Sequence, residues 1–579
     1  MTNLTAFLIL KYTEMNTQTQ LILLPANYTL NNWTDLKPFY EQLLATNINS
    51  LQELEEWMLK RSELESFVSE DLGKRYIAMT CDTADQKASE AYSFFVEHIQ
   101  PEIAPYSNLL DKKLIECPYT QALDKDLYNI YLRAVKMSIE IYREENIPLF
   151  TELNNLAQQF STVSGSMSVM IDGKEMTLPQ AAKLLQLNDR NKRKEVYETV
   201  ANRRAEARVE LDAIMDNMIK LRHQVAVNAG YANFRDYMFD ALGRFDYKPE
   251  DCFNFHESVK KYIVPILDEL DLQRKKQLGV DNLKPYDFEV DPTGLDALKP
   301  FANASELVGK TRKIFGTLDP YFETCLTTMD NMKLLDLESR KGKAPGGYLY
   351  PLPLTGVPFI FMNAVGSLRD LVTMVHEGGH AIHSFLSKDL KLNDFKNVPS
   401  EVAELASMSM ELISMQHWQE FFNNEADFER ARMEQLDDVL RTLPWVAAID
   451  KFQHWMYCNP AHTADERKQA WLKIYAEFGG EHTDWTGYEE NKAYMWHKQL
   501  HLFEVPFYYI EYGFAQLGAI AMWRNYLKNG HQAIEQYKNA LSLGYTKSIG
   551  DIYQTAGIKF DFSETWISEL SGFVKTQMN

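Results

Sequence analysis

Along most of the chain, apolar residues recur three and four positions apart with charged residues between them, the pattern of amphipathic helices. "LQELEEWMLKRSELESFVSEDLGKRYIAM" (51–79), "DLYNIYLRAVKMSIEIYREE" (126–145) and "RNKRKEVYETVANRRAEARVELDAIMDNMIKLRHQVAVNAG" (190–230) are examples. Two segments depart from it. In "SVMIDGKEMTL", Asp172-Gly173 sits between two short runs and predicts a hairpin turn. In "GKAPGGYLYPLPLTGVPFIFMN" (342–363), glycines and prolines lead into "VPFIFMN", a strand-like apolar run. Pro358 sets that run at the start or the edge of a sheet, because proline donates nothing to a central ladder. The pattern predicts a mainly α protein with a small β element. No internal repeat or low-complexity linker interrupts it.

At 579 residues the chain is too long for one ordinary core, so two or more subdomains are expected. Residues 15–200 read as an N-terminal helical lobe and 201–579 as a second, larger domain. Met15 offers an alternative start, which leaves 1–14 as an extension. The apolar run from Ala6 to Leu10 is short and lacks a basic flank, so it does not read as a signal peptide. Hydrophobic residues make up 45% and aromatics 12%, as in a well-packed globular protein. A net charge of −21, without any basic run, argues against nucleic acid as a partner. No window is apolar for long enough to span a membrane. Cys81, Cys117, Cys252, Cys325 and Cys458 lie far apart and form no C-x-x-C. They read as buried reduced thiols, which suits a cytoplasmic protein.

The candidate chemistry lies in "LVTMVHEGGHAIHSF" (371–385). His376 and His380 are four apart, so on a helix they project from one face about a turn apart. Glu377 points about 100° round from His376. This is H-E-x-x-H, two imidazoles for a metal and a carboxylate for its water. The adjacent glycines oppose helix formation by about 1 kcal/mol each relative to alanine, so something else must hold them there.

A third ligand follows in "NVPSEVAELASMSMELI" (397–413), which Pro399-Ser400 opens as a helix. Glu401, Glu404 and Glu411 lie there among apolar and small residues, where glutamates are seldom left unpaired. Glu404 and Glu411 share a face, and Glu401 lies one turn earlier on much the same face. Two histidines and one glutamate, with water in the fourth position, are a catalytic rather than a structural zinc set.

"HEGGHAIH", followed by Glu404 in "EVAELASMSME", resembles the M3 family of zinc oligopeptidases, the thimet-oligopeptidase and oligoendopeptidase F group. The likeness extends to "GVPFIFMN" upstream and "PFYYIEYGFAQLGA" downstream. It implies a two-lobed helical metallopeptidase with a deep substrate cleft, taking short peptides and one zinc ion per chain. It makes His376, His380 and Glu404 the ligands and Glu377 the base that moves a proton from water to the leaving amine. Gly379 matches the family's glycine, explained if no side chain fits against a neighbouring backbone. Nothing in the sequence accounts for Gly378.

By the same resemblance Glu411 accepts a hydrogen bond from a ligand histidine, its bland alternative being a helix-surface ion pair. His383 either plays a similar supporting part or is a packed core histidine. In "HLFEVPFYYIEYGFAQ" (501–516), His501 and Tyr508, then Tyr512, are the candidates for stabilising the oxyanion, with Tyr509 read as packing. The strand region supplies candidate substrate contacts at Gly346, Gly347, Tyr348 and Phe359, an edge strand there being able to bind an extended peptide through its main chain. His454, His462 and His482 lack partner spacing and read as structural or exposed. The expected activity is internal cleavage of short peptides. A dipeptidyl carboxypeptidase and a non-catalytic zinc-binding protein are the alternatives, and oligomeric state is left open.

Overall fold

A computed structural model of the chain describes residues 21–340, 342–344 and 346–578. The extension expected at 1–14, and Met15, lie outside them. The elements that bear on function are, in chain order, helix α1 (Leu51–Cys81), strands β1 (Ser168–Ile171) and β2 (Lys174–Thr177), helices α2 (Pro249–Tyr262) and α3 (Ala304–Leu318), strands β3 (Leu335–Glu338), β4 (Tyr348–Tyr350) and β5 (Phe359–Ala364), and helices α4 (Leu368–Ser387), α5 (Ser400–Ser414), α6 (Glu425–Cys458) and α7 (Tyr509–Asn529). The protein is mainly α, as the apolar periodicity predicts.

Local chemistry explains most boundaries. Ser50 caps α1 by accepting from the Glu53 N–H at 3.1 Å. Ser367 and Asp370 form a capping box that starts α4 and fixes which residues face its neighbours. β1 and β2 pair antiparallel across Asp172 and Gly173, whose φ values of 52° and 74° suit a two-residue primed turn. The stretch 190–230 is two helices, Arg190–Glu206 and Arg208–Asn228, divided at Ala207, whose ψ is −2°.

The larger sheet has the order β3-β5-β4, with β3 parallel and β4 antiparallel to β5. The run after Pro358 is therefore the central strand and not an edge. Pro358 stands just before the first strand residue, so its missing N–H removes no ladder bond. β4 is one edge of this sheet.

The chain forms two compact units. The first comprises the described residues up to Thr151, Phe301–Phe421 and Met522–Lys559; the second comprises Glu152–Pro300, Phe422–Ala521 and the described residues from Phe560 onward. A single cut near residue 200 does not describe them. Leu392 and Phe395, far along the chain, pack in one core with Leu54, Trp57 and Tyr128, so the N-terminal helices depend on later residues to bury their apolar faces. None of the five cysteines is in a disulfide; four are buried, but Cys458 is exposed. Among the described residues, no helix is long and apolar enough to cross a membrane.

Candidate active site

Within the first unit, α4 and α5 pack backbone to backbone. A Cβ on Gly379 would stand 2.7 Å from both the Ala406 carbonyl oxygen and the Ser407 Cα. A Cβ on Gly378 would stand 2.5 Å from Cζ of Phe315 on α3. Both glycines are thus required by packing, one by a neighbouring helix backbone and the other by a buried ring.

That close approach brings the candidate ligands together. Glu404 Oε2 lies 3.4 Å from His376 Nε2 and 3.6 Å from His380 Nε2. Tetrahedral coordination with bonds of about 2.0–2.1 Å sets ligand atoms roughly 3.3 Å apart, so these three side chains fit a zinc ion nearly as they stand. His376 Nδ1 and Glu411 Oε1 are hydrogen-bonded at 2.6 Å, which turns Nε2 toward Glu404. Ser407 Oγ donates to Glu404 Oε2 at 2.9 Å. Burial works to lower the His376 pKa, but its hydrogen bonds with Glu404 and Glu411 raise it well above the ordinary value. Glu401 is buried outside this ligand group, and its carbonyl accepts from the Tyr553 hydroxyl at 2.9 Å.

Glu377 lies beside the ligands and is 5% exposed. Its carboxylate accepts from the Leu349 N–H on β4, and burial pushes its pKa up to about 7. Its Oε2 has no hydrogen-bond partner among the described residues. A Cβ on Gly347 would be 3.9 Å from Glu377 Oε1, and both Gly346 and Gly347 are exposed. The Gly347 backbone thus lies next to Glu377.

The other two residues expected to contact substrate stand differently. Tyr348 stacks on Phe361 at 4.8 Å, and its hydroxyl shares a hydrogen bond with Thr80 Oγ1 at 2.5 Å. Its phenol is thereby committed to α1. Phe359 is 1% exposed, buried in the central strand, so its side chain cannot reach a peptide. His383 is a core histidine: its Nε2 is buried without a partner among the described residues, and burial pushes its pKa down to about 3. It makes no hydrogen bond to the ligand group.

The aromatic candidates belong to the second unit. His501 Nε2 and the Tyr512 hydroxyl are 3.3 Å apart, and Gln499 Nε2 is 2.7 Å from His501 Nδ1. The His501 ring lies 5.7, 5.0 and 5.6 Å from those of Tyr508, Tyr509 and Tyr512. Tyr509 is half-buried in this cluster rather than sunk in the core. Phe507, two residues before α7 begins, has φ +67°, a strained value for a bulky residue. Both of its backbone groups are held: its N–H donates to Gln453 Oε1 at 2.5 Å, and Arg244 donates to its carbonyl. Arg244 also pairs with Glu511 at 2.7 Å, and Arg222 donates to the carbonyls of Leu502 and Phe503.

Comparison with known proteins agrees with this architecture. Residues 183–572 match the model of peptidase family M3, and residues 24–142 match the peptidase M3 N-terminal domain. The chain belongs to peptidase family M3.

Among relatives, oligopeptidase PepF of Bacillus subtilis is 22% identical over 417 residues, covering 71% of this chain and 60% of that protein. The match thus spans less than two thirds of PepF. Group B oligopeptidase PepB of Streptococcus agalactiae is 23% identical over 497 residues, covering 82% of this chain and 78% of that protein. The solved structure of PZ peptidase A with an inhibitor superposes with a TM-score of 0.91 at 27% identity, covering 97% of this chain and 99% of that one. A metal cofactor and peptide substrates are properties of this metallopeptidase family. Phe315, Leu349, Arg222, Arg244 and Gln453 carry no local sequence signal; each matters only through a contact with a segment distant in the chain.

Proposed function

We propose that this M3 peptidase is a zinc-dependent oligoendopeptidase that hydrolyses internal bonds of short peptides. The observation that carries the proposal is the convergence of His376, His380 and Glu404 on one point, with the partnerless Glu377 Oε2 beside it. Held by those three side chains, zinc would supply Lewis acidity toward the attacking water and the scissile carbonyl.

The chain's own groups do the rest. Glu377 takes the proton of the attacking water and returns it to the leaving amine. Burial suits it to this, because a carboxyl with a pKa near 7 both accepts and gives up a proton at neutral pH. Glu411 fixes the orientation of His376 through Nδ1. The substrate main chain runs along the β4 edge past Gly346 and Gly347, where the absence of side chains leaves room. Hydroxyl or imidazole donors from Tyr508, Tyr512 and His501 stabilise the developing oxyanion.

Mass spectrometry of products from a mixed peptide library tests this reading. Internal cleavage is expected, in C-terminally amidated peptides as well as free ones, abolished by a chelator and restored by zinc. Release of dipeptides from free C-termini alone would make the protein a dipeptidyl carboxypeptidase. Metal binding without any cleavage would make it a non-catalytic zinc protein.

A further inference from the structure

In the second unit, α2 and α6 each carry two metal-binding side chain types one helical turn apart: Cys252 and His256 on α2, Asp450 and His454 on α6. The two helices pack so that the pairs meet. All four residues are buried, at 0%, 1%, 0% and 4% exposure. The ligand atoms of Cys252, Asp450 and His454 all lie within 4.8 Å of one another. His256 Nε2 is hydrogen-bonded to Asp450 Oδ2 at 2.9 Å, and His454 Nε2 stands 3.2 Å from the same oxygen.

That hydrogen bond leaves much of the cluster unsatisfied. Among the described residues, Asp450 Oδ1, His256 Nδ1 and both ring nitrogens of His454 have no hydrogen-bond partner of acceptable geometry. The imidazole of His454 is surrounded by the rings of Phe253, Phe507 and Phe239, at 4.8, 5.4 and 6.0 Å. Buried polar groups in folded proteins are nearly always paired, and several orphans in one place point to an ion or water between them.

We infer that Cys252, Asp450 and His454 form a second metal site, which takes a zinc ion. A thiolate, a carboxylate and a divalent cation sum to zero charge, so the ion enters this apolar interior without leaving net charge behind. Sulfur, nitrogen and oxygen donors together suit zinc rather than calcium or magnesium. The 3.2 Å between the His454 nitrogen and the Asp450 oxygen matches the edge of about 3.3 Å for tetrahedral coordination. His256, bonded to the carboxylate, orients it as groups behind metal ligands commonly do. Burial on every side closes the site to substrate.

Cobalt(II) separates this site from the one at His376, because only this site offers a thiolate. Full-length protein stripped with a chelator and reloaded with cobalt should hold two equivalents per chain and show a near-ultraviolet thiolate-to-cobalt charge-transfer band. Cys252→Ser should lose that band and one equivalent. His380→Ala should lose the other equivalent and keep the band. The inference is overturned if the wild-type protein shows no thiolate band, if the band survives Cys252→Ser, or if His380→Ala leaves no bound metal. The wild-type spectrum decides the matter even where a variant folds poorly.

Discussion

Gly379 on α4 packs against the carbonyl of Ala406 on α5, with 2.7 Å between that oxygen and the position a Cβ would take. The carbonyl also accepts from the buried Tyr537 hydroxyl at 2.7 Å, so its position is fixed from another side. Gly379→Ala should force the helices apart, destabilise the protein by about 1–3 kcal/mol and weaken metal binding by separating His380 from Glu404. Gly378→Ala instead meets the ring of Phe315. Adding Phe315→Leu should recover stability for Gly378→Ala and not for Gly379→Ala. Thermal denaturation with metal analysis of the four proteins checks this. Equal rescue of both would mean that the helix contact is not what Gly379 serves.

Glu377→Gln keeps the shape of the side chain and an oxygen for the Leu349 N–H, while removing the proton acceptor. Metal content should stay at the wild-type level and peptide hydrolysis should disappear. Loss of metal together with activity would reassign Glu377 as a ligand.

The glutamates of α5 should differ in their effects. Glu404→Ala should lose the metal held with His376 and His380. Glu411→Ala should weaken it by about 10–100-fold, because His376 Nδ1 loses the acceptor that orients its ring. Glu401→Ala should leave metal affinity unchanged, since that side chain lies outside the ligand group. Competition titration against a chromophoric chelator ranks the three, and a larger effect at Glu401 would contradict the geometry.

Tyr508→Phe keeps the ring contacts with His501 and Tyr512 and removes only the hydroxyl. If that hydroxyl serves the oxyanion, kcat should fall by about 10²–10³ with little change in KM. Tyr509→Phe should be mild. A large loss at Tyr509 or Tyr512 alone would move the donor to that residue.

Arg244 holds both the Phe507 carbonyl and Glu511. Arg244→Met should cost about 3–5 kcal/mol, the usual penalty for leaving a buried charge without its partner. Adding Glu511→Leu should restore much of the stability but not the grip on Phe507. If the hold on Phe507 serves turnover, kcat should be low in the single and the double variant alike, while the denaturation midpoint recovers in the double. Recovery of both would show that the clamp on Phe507 has no part in turnover.

The sequence by itself determined the mainly helical fold, the Asp172-Gly173 hairpin and the faces carrying His376, His380, Glu404 and Glu411. It could do so because helical and hairpin geometry depends on the spacing and type of residues within a few positions. Tertiary structure alone decided that the strand after Pro358 is central, that Phe359 is buried, and that Phe315 explains Gly378. It also decided that Cys458 is exposed, and that residues near 395 complete the core of the first helices. Cys252, Asp450 and His454 show the division most plainly. Sequence spacing gives His454 no partner, because nothing within α2 or α6 says that Asp450 and His454 meet Cys252 and His256. Which faces touch depends on how segments some two hundred residues apart bury their apolar surfaces, and local spacing carries no record of that.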